Sequence, residues 1–277
     1  MPPIQPTPRT PPYAVTIASS DSGGGAGIQA DLKTMTRLGV YGGSVIVAAT
    51  AQNSRGVEDT HVLPADAIRA QFDALADDFD IGAVKLGMLA TAEAVETVAD
   101  CLADYDGPVV LDPVMVATSG DRLLAEDAID AYTDLFAQAT LVTPNADETE
   151  ALTGRFPDTE AARHAAADRF FEWGADAVLL KGGHVETDDS TVTDALVTPA
   201  ETTTYINPRI DSAATHGSGC TLSSAIAARL ARGDALSEAV ERGIDFTHAA
   251  LSEPAAVGDG AGSVNHLVGG DWAALDG

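Results

Sequence analysis

The sequence predicts an α/β fold of three layers, in which a mostly parallel central sheet carries helices on both faces. The first observation behind this prediction is that short apolar runs alternate with longer segments whose apolar residues recur at helical spacing. The second is that glycine-rich or polar stretches directly follow several apolar runs, as expected where strands end at a ligand site. The third is the length of 277 residues, 45% of them hydrophobic, with no linker or internal repeat to divide them.

The chain begins with residues 1–12, a proline-rich stretch that has no apolar core. We predict a flexible arm there rather than a signal peptide, followed by a single domain over residues 13–277. The longest apolar runs, such as residues 44–51, are much shorter than the ~20 residues that span a membrane. The two cysteines indicate a reducing cytoplasm rather than a disulfide scaffold, so we expect a cytoplasmic protein.

The charge balance is strongly acidic, with 42 acidic residues against 15 basic ones and a net charge of −27. Such a surface excludes a general electrostatic affinity for nucleic acids or anionic membranes. Because the acidic residues are spread along the chain and lysine is rare, the composition resembles that of haloarchaeal proteins, in which salt screens the self-repulsion. Only Lys33, Lys85 and Lys181 occur, and each is therefore a candidate for a specific role.

The predicted elements begin with a strand at residues 13–18, a glycine-rich turn at 19–27 and a helix that starts near Ile28 and ends at Gly39. This order is the first half of a βαβ unit. The turn contains no Gly-Lys-Ser/Thr, and the spacing of its glycines departs from GxGxxG. Neither a Walker phosphate loop nor a dinucleotide-binding fold is therefore supported.

Strands and helices continue to alternate along the rest of the chain. The later predicted elements are a strand at 44–50, a helix at 65–79, a strand at 83–88, a helix at 91–102, a strand at 108–111, a helix at 121–137, a strand at 140–143, a helix opened by 144–148, a helix at 161–173, a strand at 177–180, a hairpin of 195–197 and 203–206, and a helix at 236–251. Parallel strands joined by helices bring their carboxyl ends to one edge of the sheet.

Residues with useful chemistry follow the predicted strands. They are Ser19, Gln52, Met88, Asp112, Asn145 and Lys181. We expect them to gather at one edge of the sheet in a single site. Two interpretations of Gln52 and Asn53 stay open, because amides there either read the hydrogen-bonding pattern of a heterocycle or cap the strand end. Asp112 is likewise either part of an ordinary strand-end turn or a residue of this site.

The last glycine loop, residues 215–221, leads into a helix whose apolar residues recur from Leu222 onward. Gly217 and Gly219 let a ligand approach the backbone, and the free N–H groups of a first helical turn carry about half a positive charge. Together with Ser218 they suit a phosphate, or the charge that develops while one is transferred. Cys220 lies in the same turn, where the pKa of a thiol tends to fall. The alternative interpretation is a glycine-rich helix start with a buried cysteine.

Seven stretches together carry a resemblance to a known family. They are GGAGIQADLKT at 24–34, AQNSRGV at 51–57, KLGML at 85–89, LDPVM at 111–115, TPNADE at 143–148, KGGH at 181–184 and THGSGCT at 215–221. In this order they resemble the ribokinase-like superfamily, and more closely the hydroxymethylpyrimidine and phosphomethylpyrimidine kinases of thiamin biosynthesis. The resemblance covers about residues 13–252. The family usually has glycine where Ser19 stands and threonine where Ser218 stands.

The resemblance implies an ATP- and Mg²⁺-dependent kinase that phosphorylates the hydroxymethyl group of 4-amino-5-hydroxymethyl-2-methylpyrimidine and then converts the monophosphate to the diphosphate. It implies that the pyrimidine binds near Ser19, Asp31, Gln52, Met88, Val114 and Cys220. Asn145 and Glu148 would order water around Mg²⁺ and the nucleotide phosphates, with Lys181 near those phosphates. Asp112 and Glu148 are the expected magnesium-side carboxylates, in part through water, and the family also suggests a homodimer.

Cys220 has two open roles in such a kinase. It is either a thiolate that accepts the hydroxyl proton, or a contact to the ring. In the second case the N–H groups of the loop at Gly217, Ser218 and Gly219, together with the Lys181 ammonium, perform most of the catalysis. Two other functions also stay open. A pyridoxal or pyridoxine kinase would phosphorylate a hydroxymethyl group on a similar ring, and a regulator would bind the pyrimidine without catalysis.

Overall fold

The structure is a computed structural model that describes residues 7–115, 128–185, 190–260 and 262–269. Strands and helices alternate along most of these residues. In chain order they are β1 (Tyr13–Asp21), α1 (Gly27–Arg37), β2 (Tyr41–Asn53), β3 (Gly56–Val62), α2 (Ala65–Ala76), β4 (Ala83–Leu86), α3 (Ala92–Leu102), β5 (Val109–Leu111), α4 (Ala128–Phe136), β6 (Leu141–Val142), α5 (Ala146–Thr153), α6 (Glu160–Glu172), β7 (Val178–Leu180), β8 (Thr191–Val197), β9 (Thr202–Pro208), α7 (Ser218–Ala231) and α8 (Leu236–Ser252).

The strands form one sheet in the order β3-β2-β1-β4-β5-β6-β7-β8-β9. β1 pairs in parallel with β2 and β4, and the parallel pairing continues through β5, β6 and β7. The pairs β2–β3, β7–β8 and β8–β9 are antiparallel. The mostly parallel central sheet that the sequence predicts is confirmed, with antiparallel strands added at both edges.

Alternating strand residues supply two hydrophobic cores, one on each face of the sheet. Val15 and Ile17 of β1 belong to the core that α2, α3, α4 and α6 cover. Ala14 belongs to the other core, which α1, α7 and α8 cover. The predicted α/β/α layering is therefore confirmed, and it places α7 on the same face of the sheet as α1.

β1 and β2 extend beyond their predicted ends. Ser19 lies within β1, and Gln52 and Asn53 lie within β2. The unpredicted strand β3 accounts for the length of β2, because the two pair as far as Asn53 opposite Gly56. β3 is mostly polar and lies at the sheet edge, so no apolar alternation marks it in the sequence. The predicted hairpin of 195–197 and 203–206 is confirmed, as the longer pair β8 and β9.

Two predictions reach beyond the described residues. Residues 1–6 of the predicted arm lie outside them, and residues 7–12 contain no helix or strand. The predicted helix at 121–137 is described only as α4, and residues 121–127 lie outside. Among the helices that the structure describes, none has both the length and the apolar character needed to cross a membrane.

Candidate active site

The first turn of α7 begins at Gly217, which has a left-handed φ of 82°. A Cβ atom there would lie 1.9 Å from the carbonyl oxygen of Gly25, so the close approach of the two glycine loops requires glycine. The amide of Thr221 donates to the Gly217 carbonyl (2.8 Å) and closes the turn. Within this turn, the N–H groups of Gly219 and Cys220 have no acceptor among the described residues. The predicted glycine-rich helix start is confirmed.

Asp21 organises the glycine-rich turn that follows β1. Its carboxylate accepts the N–H groups of Gly23 (2.8 Å), Gly25 (3.0 Å) and Ala26 (2.8 Å). Nε2 of His216 lies 3.0 Å from the same carboxylate and so joins the two glycine loops. Burial acts to raise the pKa of Asp21, but the hydrogen bonds from His216, Ala26 and Gly23 hold it below its usual value. The sequence analysis missed Asp21, although Asp before Ser-Gly is a typical Asx-turn signal.

A buried ion pair lies just after β5 and β7. Nζ of Lys181 is 2.9 Å from Oδ1 of Asp112 and 3.9 Å from Oε2 of Glu148. Thr143 donates its hydroxyl to the same Asp112 oxygen (3.1 Å). A Cβ atom on Gly219 would lie 3.1 Å from Oδ2 of Asp112 and 3.5 Å from Nζ of Lys181. The start of α7 therefore faces this ion pair, at the edge of the sheet where the sequence places the site.

Burial and neighbouring charges tune the ionisable groups of this pair. Burial raises the pKa of Glu148 to about 7 against the opposing charge of Lys181, and Asp112 adds to the rise. Burial acts to lower the pKa of Lys181, but Asp112 and Glu148 outweigh it, so this pKa is raised. Near neutral pH the site therefore holds a fixed ammonium beside a carboxyl group that readily exchanges its proton.

Asn145 and Glu148 form a capping box at the start of α5. The amide of Glu148 donates to Oδ1 of Asn145 (2.9 Å), and the amide of Asn145 donates to Oε2 of Glu148 (2.8 Å). The box fixes the Glu148 carboxyl group at the Lys181 end of the site. The contacts of both residues with Mg²⁺ and nucleotide phosphates stay a prediction.

The expected fall in the pKa of the Cys220 thiol is wrong. Burial raises this pKa to about 11, because the charge of Lys85 and the N–H group of Gly27 do not offset the loss of water around the sulfur. The carboxylates of Asp31 and Asp112 raise it further. A position in the first turn of a helix predicts a lowered pKa, whereas the tertiary surroundings of the thiol reverse that effect.

Asp31 lies beneath the site rather than at its surface. Its Oδ2 atom is 2.8 Å from Nζ of Lys85 and accepts the hydroxyl of Thr16 (2.6 Å). The side chains of Asp31 and Lys85 are both 0% exposed. Lys85 therefore has the specific role that the rarity of lysine suggested, while the predicted contact of Asp31 with the pyrimidine stays a prediction.

Four more residues are predicted to bind the ring, and one of them, Gln52, accepts the hydroxyl of Ser22 in the first glycine loop (2.6 Å). Ser19 is buried, and its hydroxyl donates to the carbonyl of Met88 (2.9 Å). Nε2 of Gln52 lies 3.5 Å from Nε2 of His216. The side chains of Met88 and Val114 are half-buried and belong to neither core, which disfavours a purely structural role. Their contacts with a ligand stay predictions.

A cavity of about 180 Å³ lies beside Lys181. Arg163 and Arg209 line it, so cations are concentrated here in a chain that is otherwise strongly acidic. The guanidinium group of Arg209 donates to the carbonyls of Gly183 (3.2 Å) and Val185 (3.1 Å), which orders the loop after β7. This side of Lys181 therefore suits an anionic ligand.

Residues 262–269 also contact the site, although no site residue is predicted in this part of the chain. The Ser263 hydroxyl and the Val264 amide both donate to the carbonyl of His216 (3.1 and 3.2 Å). The segment contains neither helix nor strand periodicity, and a single histidine in a short irregular stretch is a weak signal. Only the folded chain shows that it meets the glycine loop.

The chain is similar to known kinases in sequence and in fold. A family model described as phosphomethylpyrimidine kinase matches residues 21–265. A hydroxymethylpyrimidine/phosphomethylpyrimidine kinase of Streptomyces coelicolor is 47% identical over 260 residues, or 94% of this chain and 96% of that protein. A solved phosphomethylpyrimidine kinase of Clostridium difficile has a TM-score of 0.76 and 36% identity, covering 85% of this chain and 97% of that one. A Bacillus subtilis pyridoxal kinase, solved as an ADP complex, has a TM-score of 0.85 and 33% identity, covering 94% and 98%.

Proposed function

This chain belongs to the phosphomethylpyrimidine kinase family, and we infer that it is a phosphotransferase of thiamin biosynthesis. It transfers a phosphoryl group from ATP to the hydroxymethyl group of 4-amino-5-hydroxymethyl-2-methylpyrimidine, and then a second one to the monophosphate. The observation that carries this inference is the position of Gly219, which brings the free amide groups of α7 against the Asp112–Lys181 pair. Donors and a cation that converge on one point suit a phosphoryl group in transfer.

We assign the main catalytic effect to the backbone of α7 and to Lys181. A loose phosphoryl-transfer transition state needs positioning and charge neutralisation more than covalent chemistry. The amides of Gly219 and Cys220 donate to the oxygens of the transferred group, and the Lys181 ammonium neutralises part of its charge. The missing side chain of Gly219 leaves the space in which that group approaches.

Cys220 is assigned to the hydroxymethyl side of the transfer. Because burial raises the pKa of its thiol to about 11, the protonated thiol is favoured at neutral pH, which argues against a role as the base. A protonated thiol still donates a weak hydrogen bond and contacts the ring. Of the two roles that the sequence leaves open, the structure thus supports the ring contact over the base.

Two substitutions distinguish the contribution of the α7 backbone to kcat from that of the Cys220 thiol. Gly219→Ala is expected to lower kcat by about 100-fold, because its methyl group would press on Asp112 and Lys181 where the phosphoryl group approaches. Cys220→Ser keeps the size and the amide, so we expect a loss of less than about tenfold. Steady-state kinetics with both substrates measures the difference. A Cys220→Ser enzyme that is about a thousandfold slower, with Gly219→Ala milder, would instead identify a thiolate base.

The substrate assignment is tested by measuring ATP consumption with the pyrimidine, its monophosphate and pyridoxal in high salt. Pyridoxal belongs in the set because the fold is also similar to a pyridoxal kinase. We expect the highest kcat/KM for the pyrimidine or its monophosphate. Phosphorylation of pyridoxal alone would overturn the substrate assignment, and pyrimidine binding without any transfer would favour a regulator.

We propose that Mg²⁺ binds beside Asp112 and Glu148. No group of three or more His, Cys, Asp or Glu side chains able to hold a metal ion occurs in the part of the chain that the structure describes. Magnesium is commonly bound through one or two carboxylates, water and the substrate phosphates, so these two residues fit it. When bound, the ion would neutralise charge on the nucleotide phosphates. A titration of activity with MgCl₂ tests the site, and Asp112→Asn should raise the concentration needed for half-maximal activity.

We also propose that molar salt stabilises the fold. The net charge of −27 creates self-repulsion, and the screening length falls to about 3 Å at 1 M salt, which suppresses it. The melting temperature should therefore rise from low to molar KCl. A melting temperature that is flat or falls over this range would contradict the halophilic interpretation.

A homodimer in the cytoplasm completes the proposal. The family resemblance supports the dimer, and both cysteines are free, as in a reducing compartment. Light scattering in molar KCl measures the mass, for which the chain alone accounts for 28.3 kDa. A mass near that of one chain would contradict the dimer.

A further inference from the structure

The C-terminal segment, defined as residues 262–269, is anchored outside the site. The guanidinium Nε of Arg37 in α1 donates to the carbonyl of Val268 (2.8 Å). The amide of Asn265 donates to the carbonyl of Ala250 in α8 (3.0 Å). Val264 and Val268 pack with Ala250 in a small hydrophobic core of their own. The segment is therefore held by α1 and α8, and both of these helices cover the same face of the sheet as α7.

From these anchors the segment reaches both glycine loops. Ser263 is buried, and its Oγ atom lies 3.1 Å from the carbonyl oxygen of His216 and 3.4 Å from that of Gly25. The Val264 amide donates to the same His216 carbonyl (3.2 Å). The residue next to His216 is Gly217, the first residue of the α7 turn. The segment thus fixes the backbone immediately before the catalytic turn.

A chain of hydrogen bonds continues into the turn itself. Nε2 of the buried His266 lies 3.1 Å from Oγ1 of Thr221, and the Thr221 hydroxyl donates to the carbonyl of Gly217 (2.8 Å). Since that hydroxyl proton is already committed, the Thr221 oxygen accepts and His266 carries its proton on Nε2. Burial, aided by the charges of Lys33 and His216, lowers the pKa of His266 to about 4, so the ring is neutral at physiological pH.

We propose that His266 is a positioning residue for phosphoryl transfer, which acts through Thr221 and Gly217 to fix the first turn of α7. The turn between those two residues carries the amides of Gly219 and Cys220, which donate to the transferred group in the proposed reaction. The inference therefore rests on the proposed function. Misplacement of a reacting group by about 1 Å costs on the order of 100-fold in rate, so the orientation of this turn matters to kcat.

The chain offers a matched control for a purely stabilising role. Thr247 in α8 is buried and donates its hydroxyl to the carbonyl of Gly243 (2.8 Å), the same bond over the same spacing as in Thr221. Thr221→Val and Thr247→Val remove equivalent hydroxyl groups from two buried helices. Only the first breaks the chain of hydrogen bonds from His266.

Four single variants of the full chain and one double variant test the proposal; the single variants are His266→Phe, His266→Gln, Thr221→Val and Thr247→Val. We expect His266→Phe and Thr221→Val each to lower kcat by about tenfold while KM for the pyrimidine changes little. His266→Gln should restore most of kcat, because its amide supplies an N–H donor in place of Nε2. Combining His266→Phe with Thr221→Val should cause no further loss, since both break one chain of bonds. Thr247→Val should change the melting temperature but not kcat.

Hydrogen–deuterium exchange gives a readout that does not depend on the substrate. In His266→Phe, the Thr221 amide, which donates to the Gly217 carbonyl, should exchange faster, while the amides around Thr247 in α8 stay unchanged. If the wild-type chain phosphorylates no pyrimidine, the proposed function fails and exchange still tests the positioning role. Wild-type kcat and exchange in His266→Phe would overturn the proposal. An equal loss of kcat in Thr247→Val would also overturn it, because the effect would then be one of general stability. If His266→Phe does not fold, the comparison of Thr221→Val with Thr247→Val, together with kcat of His266→Gln, tests the positioning role.

Discussion

Two aspartate–lysine pairs of nearly equal length lie in different surroundings in this molecule. Asp31 and Lys85 are 2.8 Å apart, and both side chains are 0% exposed. Asp112 and Lys181 are 2.9 Å apart, and 14% of the Lys181 side chain remains exposed. Together the pairs use two of the three lysines in the chain. A threonine hydroxyl donates to the aspartate in each pair, so the pairs differ in access rather than in chemistry.

Access decides what each pair is able to do. In the inner pair both charged groups are buried away from water, so each is tolerated only because the other is present. In the outer pair, Gly219 leaves space beside Asp112 and Lys181, and Glu148 adds another charge nearby. In the proposed reaction Lys181 exchanges part of its interaction with Asp112 for a phosphate, whereas Lys85 lies buried beneath the site.

Breaking the inner pair should produce the largest effect on stability. Lys85→Met leaves the Asp31 carboxylate buried without its cation, which is expected to lower the free energy of unfolding by about 3–5 kcal/mol. The double variant Lys85→Met/Asp31→Asn removes both charges and should recover most of this loss. Denaturant titrations at constant molar KCl measure both variants. A single variant that lost less than about 1 kcal/mol would show that the inner charges do not depend on each other.

Breaking the outer pair should affect turnover more than stability. Lys181→Met removes the cation beside the site of the proposed transfer, so kcat should fall by about 100-fold. Because Asp112 is itself buried, this variant should also lose stability, but less than Lys85→Met, since Lys181 is partly exposed and water reaches this pair. Arg69→Met removes a cation from an exposed position of α2, where it pairs with Asp100, and controls for the loss of a cation in an acidic chain. If Lys181→Met destabilised the fold as strongly as Lys85→Met, the contrast between the two pairs would be lost.

The layers of the fold were predictable because they depend on periodicity within short segments. Buried runs such as Val109–Leu111 and Val178–Leu180 read as strands without knowledge of their neighbours. β3 was not predictable in this way, because it is mostly polar. It forms by pairing with β2, and the residues of β3 alone do not indicate that pairing. The same holds for residues 262–269, whose contacts join three helices and two loops.

The composition of the site was more predictable than its geometry. Asp112 and Lys181 follow strands, and their meeting at one sheet edge is confirmed. The rarity of lysine marked Lys85 as well, but the sequence did not reveal that Lys85 is wholly buried with Asp31. The pKa of Cys220 was predicted in the wrong direction because its surroundings come from β4 and α1, which are distant in sequence. Burial depends on contacts in the folded chain, so it cannot be predicted from a local sequence motif.

Glu148 gives the outer pair a neighbouring carboxyl group that titrates near neutral pH. Burial raises the pKa of this carboxyl group from 4.5 to about 7. Between these two pH values the folded protein holds a proton that the unfolded chain has released, so the folded state binds more protons. The free energy of unfolding attributable to this group therefore falls as the pH rises through the window, and levels off above it.

This contribution should be the smallest of the three effects, on the order of 1–3 kcal/mol between about pH 5 and about pH 8. Glu148→Gln keeps an oxygen that accepts the Asn145 amide but cannot lose a proton, so it should remove this part of the pH dependence. Glu150→Gln, at an exposed position of the same helix, should retain it. Denaturant titrations in molar KCl at several pH values compare the three proteins. A pH dependence that is the same in Glu148→Gln and the wild type would assign it to other carboxylates, and the outer pair would then differ from the inner one by access alone.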